Sequence, residues 1–283
     1  MPGCKVALCV SLLVLGYARS NGGTLAQFRT VFGDIEVELY DQDKPVTVQN
    51  FIRYIQSGKY ENGFAHRLVP GFVLQGGGYT VTNRGATNAT IVAAATYPPI
   101  SNEFGIGRRF SNVYGTIAMA KLGGNTNSAS SQWYFNLANN SFLDAPDTND
   151  FFVVFGHVVN GTNVLNILNN FQYWNGTQSS NVVFHQIYQS PFDDLPLIHP
   201  IGVDTNFVFL DITLLQIEIK PTAGGGQEIS WNSAAGLTNI VEFTTNLPPA
   251  WITLARTNGT GARMAIVNST AGPSRFYRVR VVY

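Results

Sequence analysis

Apolar residues alternate with acidic ones between positions 34 and 39 of the chain (DIEVEL). This two-residue period is typical of a strand with one buried face. Gly33-Asp34 lies directly before the alternating run and is a pair that favours a tight turn. The pattern therefore predicts a β-hairpin over residues 27–40.

The apolar period changes to that of a helix after residue 45. Val48, Phe51, Ile52 and Ile55 fall at i, i+3, i+4 and i+7 and so form one apolar stripe. Proline at position 45 suits a first helical turn, and glycine at position 58 suits a helix end. The pattern predicts an amphipathic helix there, and a second, short helix is predicted over 163–168.

Short apolar runs separated by Gly, Asn and Pro fill much of the remaining chain. They lie at 67–75, 115–120, 132–137, 152–159 and 207–219. Many short strands, few helices and no strand–helix alternation favour a closed barrel or a sandwich. The fold class is therefore predicted to be mainly β.

The composition is that of a globular protein without a strong charge preference. Of the 283 residues, 45% are hydrophobic and 12% are charged, and the formal net charge is zero. A neutral chain offers no basic or acidic surface for nucleic acid or acidic lipid. We therefore expect no nucleic-acid partner.

The N-terminus has the pattern of a secretory signal peptide. Lys5 precedes an apolar run over 6–17, and small residues follow at Gly16 and Ala18. A membrane anchor is the alternative, but the run is too short to cross a bilayer comfortably. We expect cleavage after about residue 18, a secreted or periplasmic protein, and no membrane association afterwards. Both cysteines, at positions 4 and 9, would be removed with the signal, which leaves no disulfide.

A glycine-rich stretch near residue 220 divides the rest of the chain. The residues 221–226 (PTAGGG) are predicted to be a linker. They separate a main domain, 24–220, from a small β module, 227–283. The tryptophans of this module, Trp231 and Trp251, are expected to fill its core, and a binding role for them is the weaker alternative.

A search for common catalytic groups finds few candidates. The four histidines lack a metal-binding spacing, no Gly-x-Ser-x-Gly turn occurs, and the glycines at 76–78 are not followed by the Lys-Ser/Thr of a phosphate loop. We therefore expect no metal and no cofactor. The segment FAHRLVPGFVLQGGG, 64–78, instead places Arg67 in an apolar strand, which is costly unless its donors are used. A core strand with one salt-bridged arginine is an alternative that periodicity alone does not reject.

Three ordered segments resemble the cyclophilin family of peptidyl-prolyl cis/trans isomerases. The first is 64–78, in which His-Arg is followed by Pro-Gly-Phe and Gln-Gly-Gly. The second, 115–144 (GTIAMAKLGGNTNSASSQWYFNLANNSFLD), and the third, 153–165 (VVFGHVVNGTNVL), follow with the family's order and spacing. The likeness covers about 24–220. The exported bacterial branch is resembled by PPISNEFG at 98–105, by SASSQ at 128–132 and by the extra residues 145–150. The small module resembles β-sandwich tails of exported bacterial proteins.

The resemblance implies a closed eight-stranded antiparallel barrel capped by two helices, with a proline site in a groove on its outer face. It implies catalytic roles for Arg67, His66 and Gln75, with His66 more structural than chemical. The implied substrate-binding residues are Phe72, Val73, Met119, Ala120, Lys121, Gln132, Tyr134, Phe142, Leu143 and Phe152. The partners would be proline-containing polypeptides, and we expect a monomer.

The chain departs from the family pattern at several of these positions. Ala65 stands where the family usually has Phe, Phe142 where Trp is common, and Phe152 where His or Tyr is common. Val73 stands where Met is common, and the hydroxyl of Tyr134 is new to the pocket. An isomerase is the leading hypothesis, and a non-catalytic module that binds proline-containing segments is the alternative that these changes leave open.

Overall fold

The computed structural model describes residues 24–144, 151–185, 189–200, 204–215, 217–233, 238–246, 249–260, 263–269 and 275–282. The predicted signal peptide, 1–18, lies outside the described residues. No helix among the described residues is long and apolar enough to cross a membrane.

The described chain is mainly β, with two α-helices. The first elements are β1 (Leu25–Thr30), β2 (Gly33–Leu39), α1 (Pro45–Gln56), β3 (Arg67–Val69), β4 (Val73–Gly76), β5 (Tyr79–Thr82), β6 (Thr90–Ala93), β7 (Thr116–Met119) and β8 (Trp133–Asn136). A 3-10 turn (Ser141–Asp144), β9 (Val154–Asn160), α2 (Thr162–Asn169), β10 (Gln172–Tyr173), β11 (Val182–His185), β12 (Asp194–Leu197), a second 3-10 turn (Asp204–Asn206) and β13 (Asp211–Leu215) follow. The last strands are β14 (Ile217–Pro221), β15 (Gln227–Asn232), β16 (Thr238–Thr244), β17 (Ile252–Asn258), β18 (Arg263–Asn268) and β19 (Phe276–Val282).

The main sheet has eight strands in the order β13-β1-β2-β9-β7-β8-β4-β3. Its end strands, β13 and β3, do not pair with each other as strands. The segments just before them approach through one bridge, Phe64 to Phe209, and through a backbone hydrogen bond from the Ala65 N–H to the Val208 carbonyl at 2.9 Å. The predicted closed ladder is therefore not seen, and the sheet is a curled half-barrel. At this junction, Phe64, Phe207 and Phe209 belong to a hydrophobic cluster that is separate from the main core.

The predicted helices supply the main core beneath the sheet. In α1, Val48, Phe51 and Ile52 are buried, as the apolar stripe predicts. The helix has no capping side chain of its own; instead Glu103 accepts hydrogen bonds from the N–H groups of Val46 and Thr47 at 3.0 and 2.7 Å. A carboxylate at this end also suits the helix dipole. The buried residues of α2 lie in the same cluster.

A three-stranded sheet, β10-β11-β12, lies beside the edge of the main sheet. Strands β11 and β12 form an antiparallel pair in which His185 stands opposite Asp194. Strand β12 contacts β3, the edge strand that contains Arg67. This small sheet was not anticipated from the sequence, and it contributes directly to the site described below.

The C-terminal module consists of two three-stranded sheets, β14-β15-β18 and β17-β16-β19. Trp231 is buried between them and donates to Asn239 at 3.1 Å, which agrees with the predicted core role. The single strand predicted over 207–219 is divided, since β13 joins the main sheet and β14 pairs with β15. Of the residues predicted as a linker, 221–226, Pro221 ends β14 and the other five form the turn of this hairpin.

Candidate functional site

Five side chains form a row across the outer face of the main sheet. Val154, Ala118, Tyr134, Gln75 and Arg67 are successive cross-strand partners on β9, β7, β8, β4 and β3. Directly opposed residues share a face of the sheet. The alternation of each strand therefore brings the predicted arginine, glutamine and tyrosine to one surface, although they lie far apart in the sequence.

Arg67 lies at the edge of this row. Its side chain is 35% exposed, and its Nε donates to the Asp194 carboxylate at 3.3 Å. The centre of its guanidinium lies 5.8 Å from the centroid of the Phe72 ring. The alternative of a salt-bridged core arginine is confirmed for the salt bridge. The side chain, however, is partly exposed and does not lie in the core.

An apolar wall stands beside the arginine; we use this name for Phe72, Tyr134, Leu143 and Phe152. The rings of Tyr134 and Phe152 meet edge to face at 5.9 Å, and all four residues belong to one cluster with Val73. Phe142 stacks on Phe72 at 5.9 Å and is itself 62% exposed, so it forms the rim. The wall therefore offers an open apolar surface to a ligand.

A hydrogen-bonded network lies against the wall. It consists of three buried side-chain amides, those of Asn112, Asn136 and Asn140, and of the carboxylate of Asp144. The Asn112 carbonyl oxygen accepts from the Tyr134 hydroxyl at 2.8 Å and from the Asn136 amide at 3.1 Å. The Asn112 amide donates to Asp144 at 2.7 Å, and the Asn140 amide donates to the Phe72 carbonyl at 2.8 Å. Burial, and then the charge of Asp144, raise the pKa of Tyr134 well above its usual value, so this hydroxyl stays protonated and donates.

Two glutamines and His66 form the polar part of the site. Gln75 donates to Gln132 at 2.7 Å. His66 is buried, and burial lowers its pKa to about 4, with a further lowering by the charge of Arg67 and a partial offset from a hydrogen bond with Gln132. His66 is therefore a buried neutral imidazole beside Gln132, and its structural role stays a prediction.

Three further predicted residues lie at different depths. The Ala120 N–H donates to the Gln132 carbonyl at 2.9 Å, and the Lys121 ammonium lies 4.4 Å from the centroid of the Phe152 ring, so both border the wall. Met119 does not border it: its side chain packs in the interior cluster with Trp133. The prediction of Met119 in the wall is therefore corrected, because strand alternation turns its neighbour Ala118 outward and Met119 inward.

The sequence analysis missed the residues that hold the site in place. Asp194 and His185 lie in the small sheet, and the amides of the network are scattered among loops and strands. An arginine in an apolar strand indicates that an acidic partner lies nearby, but only the fold determines which acidic residue it is. The asparagines gave no usable signal, since Asn is abundant throughout the chain.

The chemistry available in this groove is non-covalent. It combines an open apolar wall, a cation at its edge and a pair of amides, which suit an extended peptide with an apolar ring. Among the described residues, no group of three or more His, Cys, Asp or Glu side chains could hold a metal ion.

Comparison with known proteins identifies the class. The family model of the cyclophilin type peptidyl-prolyl cis-trans isomerases matches residues 25–188. A peptidyl-prolyl cis-trans isomerase of Acinetobacter baylyi is 36% identical over 167 residues, which cover 59% of this chain and 82% of the relative. Peptidyl-prolyl cis-trans isomerase A of Dickeya dadantii is 39% identical over 153 residues, which cover 54% of this chain and 75% of the relative.

A third relative, peptidyl-prolyl cis-trans isomerase B of Escherichia coli, is 34% identical over 144 residues, which cover 50% of this chain and 81% of the relative. The chain therefore belongs to the cyclophilin-type peptidyl-prolyl cis-trans isomerase family. Its enzyme class is that of the family, peptidyl-prolyl isomerase.

Proposed function

We propose that this chain accelerates rotation about X–Pro bonds in exported or folding polypeptides, with Arg67 stabilising the twisted amide. The observation that carries this proposal is the position of the Arg67 guanidinium, which is held at the edge of the apolar wall and next to Phe72. A cation at this place can act on an amide whose proline ring rests against the wall.

The barrier to the reaction defines what the site must do. Rotation about the amide costs about 18–20 kcal/mol because the C–N bond has partial double-bond character. The uncatalysed step takes tens of seconds or more and can limit folding. At the twisted transition state, the prolyl nitrogen regains its lone pair. A donor to that nitrogen stabilises the twisted amide more than the planar one and so lowers the barrier.

The groove residues have different roles in lowering the barrier to rotation. The guanidinium of Arg67 keeps its charge in apolar surroundings and donates to the prolyl nitrogen. The apolar wall holds the proline ring and removes water from the amide, which the less polar twisted form tolerates better. Gln75, Gln132 and the carbonyl of Ala120 hold the substrate backbone on either side.

The test is an X–Pro isomerisation assay, by NMR exchange or chymotrypsin coupling, on the mature chain and on Arg67→Ala. We expect kcat/KM to fall at least about 100-fold in the variant, as for the loss of one strong transition-state donor. Arg84→Ala is the matched control, since Arg84 is 36% exposed and also pairs with an aspartate, Asp211, outside the groove. The control should retain its turnover.

Two other outcomes of the assay would contradict the proposal. Near-normal turnover by a folded Arg67→Ala variant would show that the assigned mechanism is wrong. No turnover by a folded mature protein, together with binding of proline-containing peptides, would favour the non-catalytic binding module instead.

We also propose an export route, an oligomeric state and a domain division for this protein. The signal-peptide pattern of residues 1–18 supports export of the protein, and we propose that the mature chain is a monomer. We further propose the division into an isomerase domain, 24–220, a linker, 221–226, and a small β module, 227–283; the separate sheets formed by the last strands support a distinct module.

A further inference from the structure

We propose that Asp194 is a positioning residue for catalysis, which acts by holding Arg67 in its productive orientation, and that His185 in turn holds Asp194. This inference rests on the role proposed above for Arg67. Asp194 lies beyond residue 188, where the match to the family model ends, so the contact comes from a part of the chain that the match does not cover.

The Asp194 carboxylate lies between two partners. Its side chain is only 9% exposed. One oxygen, Oδ2, lies 3.3 Å from the Nε of Arg67, and the other, Oδ1, lies 2.7 Å from the Nδ1 of His185. A buried carboxylate is costly unless it is paired and hydrogen-bonded. Both oxygens are satisfied here, so the carboxylate is fixed relative to β3.

The ion pair with Asp194 involves only one of the three guanidinium nitrogens of Arg67. The ion pair uses Nε, and the two terminal nitrogens of the guanidinium make no hydrogen bond to a described residue. A guanidinium is a rigid planar fork on a flexible stem. Fixing Nε therefore sets the direction of the whole plane, while the terminal N–H groups remain available on the side of Phe72.

His185 completes the arrangement from the neighbouring strand. It stands directly opposite Asp194 in the β11–β12 pair, and its ring meets that of Tyr173 edge to face at 5.1 Å. It is half exposed and lies outside the groove. Its contact with Oδ1 restrains the carboxylate plane, so that Oδ2 points toward β3.

Pre-organisation of a donor affects the transition state more than the bound ground state, because only the twisted amide uses the donor fully. We therefore expect Asp194→Ala to lower kcat about tenfold while KM changes less than about twofold. Asp194→Asn keeps the shape and one acceptor oxygen and should lose less. The control is Asp211→Asn, which breaks the ion pair with Arg84 and should leave both constants unchanged.

A double-mutant cycle separates positioning from a general structural effect. If Asp194 acts through Arg67, then Asp194→Ala should not lower kcat further in the Arg67→Ala background. An equal loss in both backgrounds would overturn the inference, as would an unchanged kcat in Asp194→Ala. Retained activity of the Arg67→Ala variant alone would instead refute the proposed role of Arg67, so the two failures are distinguishable.

A measurement on the unmodified protein tests the geometry of the ion pair directly. The ¹⁵Nε–¹Hε NMR signal of Arg67, assigned by its absence from Arg67→Ala, should be a sharp peak that exchanges slowly with water. A signal that exchanges as fast as those of solvent-exposed arginines would show that the ion pair is not held in solution and would overturn the inference.

Discussion

The two sides of the groove are stabilised in different ways. The apolar wall is supported by a network in which Asn112 alone makes hydrogen bonds to Tyr134, Asn136 and Asp144. On the other side, Arg67 is held by a single ion pair to Asp194. The wall therefore depends on many mutually supporting contacts, whereas the arginine side depends on one.

This difference predicts different consequences of mutation on the two sides. Changes behind the wall should act mainly on the free energy of unfolding, because they leave buried polar groups without partners. Changes on the arginine side should act mainly on turnover, because the Arg67 side chain is partly hydrated and its ion pair contributes more to orientation than to stability.

The largest stability effect is expected for Asn112→Ala. The change removes a hydrogen bond from each of Tyr134, Asn136 and Asp144. It also leaves the buried Tyr134 hydroxyl without its partner, and each lost hydrogen bond of this kind costs about 1 kcal/mol. We expect the free energy of unfolding, measured by urea denaturation, to fall by about 3 kcal/mol. The exposed Asn88→Ala variant is the control and should change it by less than about 0.5 kcal/mol. A loss for Asn112→Ala no larger than that of the control would contradict the comparison.

The pH dependence of stability should depend on the buried His66. The pKa of His66 is about 4 in the folded protein, below the ordinary value of 6.5. Between these values the unfolded chain binds more protons, so the contribution of His66 to stability is lost as the pH falls from about 6.5 to 4. This loss amounts to about 3 kcal/mol at most.

The measurement is urea denaturation of the wild type and of His66→Gln at pH 7 and pH 4.5. The wild type should lose more stability than the variant over this interval, and the exposed His199→Gln variant should behave as the wild type. Equal pH dependence in His66→Gln and the wild type would show that His66 is not held neutral by burial.

The smallest effect is expected for Tyr134→Phe, which removes only the hydroxyl bonded to Asn112. The loss of this hydrogen bond should lower the free energy of unfolding by about 1 kcal/mol. Turnover should change less than about threefold, because the ring of the wall is retained. A tenfold loss of kcat without loss of stability would instead indicate that the hydroxyl contacts the substrate.

Much of the fold was predictable from local pattern. The hairpin before residue 40 and the first helix were predicted from apolar periodicity, and the second helix was predicted over 163–168, whereas the single run expected at 67–75 is divided into β3 and β4. The groove residues were found through their resemblance to a family rather than from periodicity. Met119 was misplaced because a matching motif does not by itself say to which face of a strand each residue turns.

Local sequence thus determined many strands of the main sheet, both helices and the chemical character of the groove, because periodicity and residue type act over a few neighbouring positions. Tertiary structure alone decided which acid pairs with Arg67, since Asp194 lies 127 residues away and on a separate small sheet. It also decided which asparagines became the buried network and where the main sheet ended. These outcomes depend on long-range packing, in which a buried charge or amide is paired with whichever partner the fold brings within hydrogen-bonding distance.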